Sequence, residues 1–188
     1  MIVEPTVITG LIIVIPILLT RYLLTSLLSK EAVRRAAFFP PTRGLEKPAY
    51  LVNIGTTLLL LVIPFFLRIK LNGFMGIAGV CLSLAALVLY GMSIVQFARP
   101  DAGGINRSGL YAVSRNPMYV AFFLYFLGAC MVTRSWLLLA ILLVFQVSVH
   151  FMILAEERWC RETFGETFDK YMEKVSRYGL GHYKSILH

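Results

Sequence analysis

Two stretches of the chain concentrate residue types capable of chemistry. "GLYAVSRNPMYVAFF", residues 109–123, places Arg115, Asn116, Pro117 and Tyr119 at the mouth of an apolar run. "EERWCRETFGETFDKYMEKVSRYG", residues 156–179, opens with the adjacent carboxylates Glu156 and Glu157, directly after the apolar "FQVSVHFMILA". Carboxylates at the edge of a hydrophobic segment are costly unless they are paired or functional. Such groups accept charge-assisted hydrogen bonds from hydroxyls or cations of a ligand. The loop 98–116, which runs into the first stretch, carries Gly103, Gly104 and Gly109, whose backbone amides suit an anionic or polar ligand group.

Each feature also has a purely structural reading. Pro117 suits the first turn of a helix, where its missing N–H costs nothing, and Asn116 is then the natural N-cap. Arg115 can face lipid headgroups. The glutamates can be partners of Arg158, Arg161 or Arg115. Beyond Glu157, the apolar positions Trp159, Phe164, Phe168, Tyr171, Met172 and Val175 recur near helical spacing. That pattern predicts an amphipathic continuation of the helix, with Gly165 as a break point.

The elements that must carry these residues follow from hydropathy. Of 188 residues, 58% are hydrophobic and only 15% are charged, which is the composition of a membrane protein. The expected architecture is an all-α polytopic bundle of about five transmembrane helices, forming a single domain over residues 1–188. The spans fall near 6–29, 49–67, 73–97, 117–133 and 135–155, each close to the length a bilayer requires. Residues 1–97 supply the N-terminal spans. Residues 98–188 supply a ligand-binding loop, the last helical hairpin and an amphipathic C-terminal helix. Pro16 interrupts the first span, which a membrane helix tolerates with a kink. Small residues in the third span, among them Gly76, Gly79 and Ser83, predict close helix approach.

Lys and Arg are lopsided. The loops after spans one and three and the C-terminal tail carry most of them, whereas the opposite side has Arg68, Lys70 and Arg134, and Arg21 lies inside span one. This bias predicts an integral membrane protein with its N-terminus outside and its C-terminus and polar site in the cytoplasm. The net charge of +8 forms no continuous stripe, so no nucleic-acid partner is expected. Cys81, Cys130 and Cys160 form no CxxC pair and the histidines form no HxxxH pair, so no metal site is expected.

Only Thr133, Arg134 and Ser135 separate the last two spans, so these form a tight antiparallel hairpin. The residues before span four and after span five must then be neighbours. Asn116, Tyr119, Glu156 and Glu157 are expected to converge on one interfacial pocket.

With those residues in place, the sequence resembles a family. "GLYAVSRNPMYVAFF" is similar to the G-x-Y-x-x-x-R-H-P-x-Y motif of isoprenylcysteine carboxyl methyltransferases. "EERWCRETFGETFDKYMEKVSRY" is similar to their E-E-x-x-L-x-x-x-F-G-x-x-Y tail. Related phospholipid methyltransferases carry N-P-M-Y and a paired E-E, and Asn116 agrees with these enzymes. The likeness covers about residues 99–178. It implies an integral membrane methyltransferase that uses S-adenosylmethionine and acts on a membrane lipid or a prenylated small molecule. Gly109, Tyr111, Arg115, Asn116, Pro117, Tyr119, Glu156 and Glu157 are then the expected cofactor-binding set, with Asn116, Tyr119 and Glu157 in catalysis. Cys160 stands where the family has leucine and Phe168 where it has tyrosine. Met152 occupies the position, four before the glutamates, where prenylcysteine enzymes often carry arginine, which favours an amine over a carboxylate acceptor. Two alternatives remain: a membrane reductase related to the sterol reductases, requiring a nicotinamide cofactor, and a non-enzymatic membrane scaffold.

Overall fold

A computed structural model describes residues 7–28, 30, 33–34, 38–101 and 103–179. Thr6 and Ser29, the expected ends of span one, lie outside the described residues, as do parts of the basic loop 30–48 and the tail beyond residue 179. Among the described residues the secondary structure is helical, with no β-strand.

Helix α1 runs Val7–Leu28, α2 Glu46–Val62, α3 Gly73–Phe97, α4 Pro117–Thr133, α5 Trp136–Phe164 and α6 Glu166–Lys174. Helix α1, α2 with its following turn to Phe66, α3 and α5 are each long and apolar enough to cross a membrane. Helix α4 is apolar but shorter, with 17 residues. At the α-helical rise it extends about 26 Å, near the lower limit for a span.

Several boundaries have local causes. Pro16 lies inside α1, and after it the helix widens into a π-helical stretch over Leu19–Leu24, where Thr20 Oγ1 donates to the Pro16 carbonyl at 2.8 Å. Helix α2 tightens into a 3-10 turn over Ile63–Phe66, where Pro64 has no N–H to continue an α-helical ladder. The hairpin between α4 and α5 turns on Arg134, whose φ is 51°, and Ser135 caps α5 by accepting from Leu138 N at 3.2 Å. Helix α5 ends where Gly165 takes φ 53°.

The packing pairs α3 most extensively with α4, and α2 with α5. Helix α1 lies against the turn after α2. Tyr125 Oη ties α4 to α1 by donating to the Ile13 carbonyl at 2.6 Å in the buried interior. The core unites Ile13 and Ile17 of α1, Leu60 of α2, Ala86 and Tyr90 of α3, Phe126 of α4, and Leu142 and Val149 of α5. Outward-facing Leu51, Leu58, Phe74, Ile77, Leu84, Val88, Trp136 and Val147 leave a broad apolar exterior. A water-facing surface of this kind would aggregate, whereas lipid accommodates it.

The small residues of α3 act as expected. A Cβ added at Gly128 of α4 would lie 2.6 Å from the Gly79 carbonyl oxygen and would strike Ser83. Ser83 Oγ donates across the same seam to the Tyr125 carbonyl at 3.2 Å. With lipid on both sides there is little hydrophobic drive between helices, so this close approach supplies van der Waals contact instead. Gly128→Val should therefore lower the thermal midpoint in detergent, by overpacking worth about 1–3 kcal/mol or more. Gly55→Ala, at a glycine with no atom within 4 Å of an added Cβ, should leave it nearly unchanged. Equal midpoints for the two variants would contradict the close-packed seam.

Candidate active site

Helix α5 is the element that delivers the acidic pair. Its 29 residues extend about 44 Å, beyond the roughly 30 Å of a hydrocarbon core. Glu156 and Glu157 therefore sit near the level where the apolar environment gives way. Adjacent residues on a helix differ by about 100° in direction, so the two carboxylates face different partners.

Glu157 is 8% exposed and receives two arginines. Arg115 Nε and Nη2 donate to its Oε1 at 3.1 and 2.8 Å. Arg177 donates to Oε1 from Nε at 3.0 Å and to Oε2 from Nη2 at 2.6 Å. Arg115 Nη1 goes further and donates to the carbonyls of Met172, in the last turn of α6, and Val175, just past it, at 3.0 and 2.6 Å. The hydrogen bond to Glu157 pushes Arg177 up from its ordinary pKa, so its charge is secure.

The backbone of the 114–116 corner is stitched to the same tail. Arg115 N donates to the Ser176 carbonyl at 3.0 Å, and Ser114 Oγ and Asn116 Nδ2 both donate to the Arg177 carbonyl, at 3.0 and 3.3 Å. Asn116 occupies the N-cap position of α4 and Pro117 its first turn, as the sequence predicts, but the asparagine side chain caps nothing. It points to the tail instead. The loop 98–116 is held from the other side by Asp101, which accepts from Gly103 N, Ile105 N and Arg107 Nε at 2.9, 3.2 and 2.6 Å. Gly109 has φ 60°, and a Cβ there would collide with Gln96, whose Oε1 accepts from Leu110 N at 2.8 Å.

Glu156 faces inward, where Tyr119 Oη donates to its Oε1 at 2.6 Å. Both residues line a cavity of about 690 Å³. Tyr111, Arg115, Asn116 and Glu157 also line it, so the structure brings together six of the eight predicted residues. Gly109 and Pro117 set the path of the backbone that carries them. Part of the cavity lining is aromatic, with Tyr111, Phe164, Phe168 and Tyr171. Phe168 and Tyr171 pack with Ile105 and Val175 in a small cluster, and Tyr171 Oη donates to the Tyr111 carbonyl at 2.6 Å. Another part comes from the spans, with Ile17, Leu61, Phe122 and Phe145.

Sequence reasoning nominated neither Arg21 nor Arg177 nor Asn106. Arg21 lines the cavity from the π-helical stretch of α1 and donates to Tyr90 Oη at 3.5 Å. A charge inside an apolar run was the signal for it. Arg177 and Asn106 carry no comparable signal. The sequence offered Arg158 and Arg161 as partners of the glutamates, but Arg158 pairs with Glu46 of α2, and Arg161 with Asp169 at 2.8 Å.

A bundle of helices long and apolar enough to cross a membrane defines an integral membrane protein, and its carboxylates, tyrosines and arginine-clamped tail gather around one cavity. Residues 71–167 match the family model described as phospholipid methyltransferase, from the turn before α3 into α6. The chain belongs to that family and is a membrane methyltransferase. No curated protein and no solved structure matches it.

Removing one partner of a buried ion pair costs about 3–5 kcal/mol, because the other charge is left uncompensated. Glu157→Gln should accordingly free the tail. Tryptic cleavage at Lys170, Lys174 and Arg177 should accelerate and the thermal midpoint should fall, whereas Glu166→Gln, in an exposed pair with Lys170, should change neither.

Proposed function

We propose that the protein is an S-adenosylmethionine-dependent methyltransferase acting on an amphipathic lipid, with the amine head of a phospholipid as the favoured acceptor. The observation that carries the proposal is the 690 Å³ cavity, whose lining joins the aromatic residues Tyr111, Phe164, Phe168 and Tyr171 to the span residues Ile17, Leu61, Phe122 and Phe145 and includes the hydrogen-bonded Tyr119 and Glu156. The donor set fits the cofactor: acidic oxygens for its hydroxyls or ammonium, and aromatic walls for its base. When bound, the cofactor supplies an electrophilic methyl on a sulfonium sulfur.

The roles of the protein's own residues follow from where they stand. Glu156, on the inner face of α5, accepts hydrogen bonds from the cofactor and attracts a cationic head. Tyr111 packs against the purine. Tyr119 holds Glu156 in its rotamer and stands beside the acceptor, where the pair can take the proton an ammonium head must lose. Asn116 orients the corner that borders the cofactor. Glu157, mostly engaged by Arg115 and Arg177, positions the tail that closes the site. Holding acceptor and cofactor in register supplies up to about 7–11 kcal/mol of the barrier. The apolar lining takes the lipid tail and excludes water. The distribution of Lys and Arg supports a site on the cytoplasmic side, with the N-terminus outside.

Arg21 favours one second reading. Its guanidinium on the cavity wall suits an anionic group, either the phosphate of a phospholipid or the carboxylate of a prenylcysteine. A radiolabelled methyl-transfer assay on extracted host lipids separates the two. An N-methyl product survives alkali, whereas a methyl ester releases its label as methanol. Labelling of neither class would sink the proposal. Glu156→Gln should weaken S-adenosylhomocysteine binding on the order of tenfold or more, the worth of a charge-assisted hydrogen bond. Calorimetry in detergent with unchanged affinity would remove Glu156 from the cofactor site.

A further inference from the structure

Arg21 stands inside the apolar run of α1, roughly two turns before Leu28. An ionisable group within a span is costly in lipid and marks a ligand site or a path by default. An arginine with a purely interfacial role would send its long stem outward to the headgroups. Arg21 instead lines the cavity, and its Nη1 donates at 3.5 Å to the Oη of Tyr90, another lining residue. It keeps accessible surface with the cavity empty, so a ligand can reach it. It also stands within electrostatic range of Glu156 and Tyr119.

A carboxylate and a guanidinium on one cavity ask for a ligand with both signs of charge. An amine joined to a phosphodiester by a short linker meets the demand, with the amine toward Glu156 and the phosphate toward Arg21. The guanidinium fork matches phosphate oxygens in pairs. A simple long-chain amine brings no anion for Arg21. An acceptor whose only charge is a carboxylate brings no cation for Glu156. The face of α1 adds a gradient of polarity, since Ile17 and Leu18, one turn before Arg21, line the same cavity. A charged group followed by apolar side chains along one helix suits a phosphate followed by acyl chains. Helix α1 lies outside residues 71–167, the stretch that holds every residue assigned above to the cofactor.

We propose that Arg21 is the phosphate-binding residue of an acceptor subsite on α1. Its guanidinium engages the phosphodiester of a glycerophospholipid whose amine lies at Glu156 and Tyr119 and whose chains follow Ile17 and Leu18. The assignment rests on the reading of the cavity as a lipid methyltransferase site, and it selects the phosphate from the two anions named above. It makes Arg21 a specificity residue: an amine without a phosphate gains nothing from it.

The test compares two acceptors for methyl transfer by the full chain in mixed micelles: dioleoyl phosphatidylethanolamine, and oleylamine, which has an amine and a chain but no phosphate. The wild type should show an apparent KM lower by on the order of tenfold for the phospholipid, the worth of a hydrogen bond between charged groups. Arg21→Gln should bring the two KM values to within about twofold of each other, mainly by raising that of the phospholipid, with calorimetric affinity for S-adenosylhomocysteine held within about twofold. Arg21→Lys, which keeps the charge without the fork, should retain part of the preference. Thermal unfolding and size exclusion establish that the variants are folded. If Arg21→Gln does not fold, the wild-type ratio and Arg21→Lys decide. Equal KM values in the wild type, or a preference that survives in Arg21→Gln, overturns the role of Arg21 while leaving the methyltransferase standing. Weakened S-adenosylhomocysteine binding in Arg21→Gln moves Arg21 to the amino-acid arm of the cofactor and overturns it as well. Methylation of a prenylcysteine carboxylate and of neither amine also overturns the phosphate role. No methyl transfer by the wild type to any of the three overturns the proposed function together with it.

Discussion

Glu157 stands inside the fold with its carboxylate shared between Arg115 and Arg177. The three charges come from three separate pieces of chain: the corner before α4, the far end of α5 and the tail after α6. Arg115 adds hydrogen bonds to the carbonyls of Met172 in α6 and Val175 in the tail, so the tail is tied by backbone as well as by charge. Near the end of an apolar bundle there is little water to solvate a carboxylate, and an unpaired one would be expelled or neutralised. The pairing is therefore a constraint on the whole polar end. Wherever α5 goes, the corner and the tail must follow, and the cavity between them takes its shape from that requirement.

Two adjacent glutamates divide their work by helical phase. Glu157 turns toward the arginines and Glu156 toward Tyr119 and the cavity. One carboxylate holds the wall and the other faces what the wall encloses. A spacing of three or four would have put both on one face, competing for the same partners. The pair also explains the length of α5. A helix that ended with the hydrocarbon core would have presented these groups at a frayed terminus, whereas continuing to Phe164 keeps them on regular backbone.

The remaining walls come from elements with less regular geometry. The π-helical stretch after Pro16 places Arg21 on the cavity, and the glycine-bearing loop brings Tyr111 to its lining. Helix interruptions of this sort are frequent at functional sites, because a regular helix repeats its directions and cannot aim one side chain independently. The close-packed α3–α4 seam at Gly79 and Gly128 joins the two helices that flank the loop 98–116.

What the sequence determined by itself was local. Apolar run lengths set the spans, and three residues between two runs forced the hairpin at Arg134. Pro117 marked the start of α4 and Gly165 the break before α6, because proline and glycine act on the backbone at their own position. The convergence of Asn116, Tyr119 and the two glutamates was legible as well, since a hairpin leaves its ends no choice. Pairing was not. The partners of Glu157 were open among Arg115, Arg158 and Arg161, and Arg177 entered only when the tail folded back across the corner. The side chain of Asn116 left its expected cap for the Arg177 carbonyl for the same reason. Hydropathy and helix stops are properties of position along the chain, whereas the choice of partner depends on helical phase and on the path of loops in space. Those are settled only when every buried charge and amide competes for the same few neighbours.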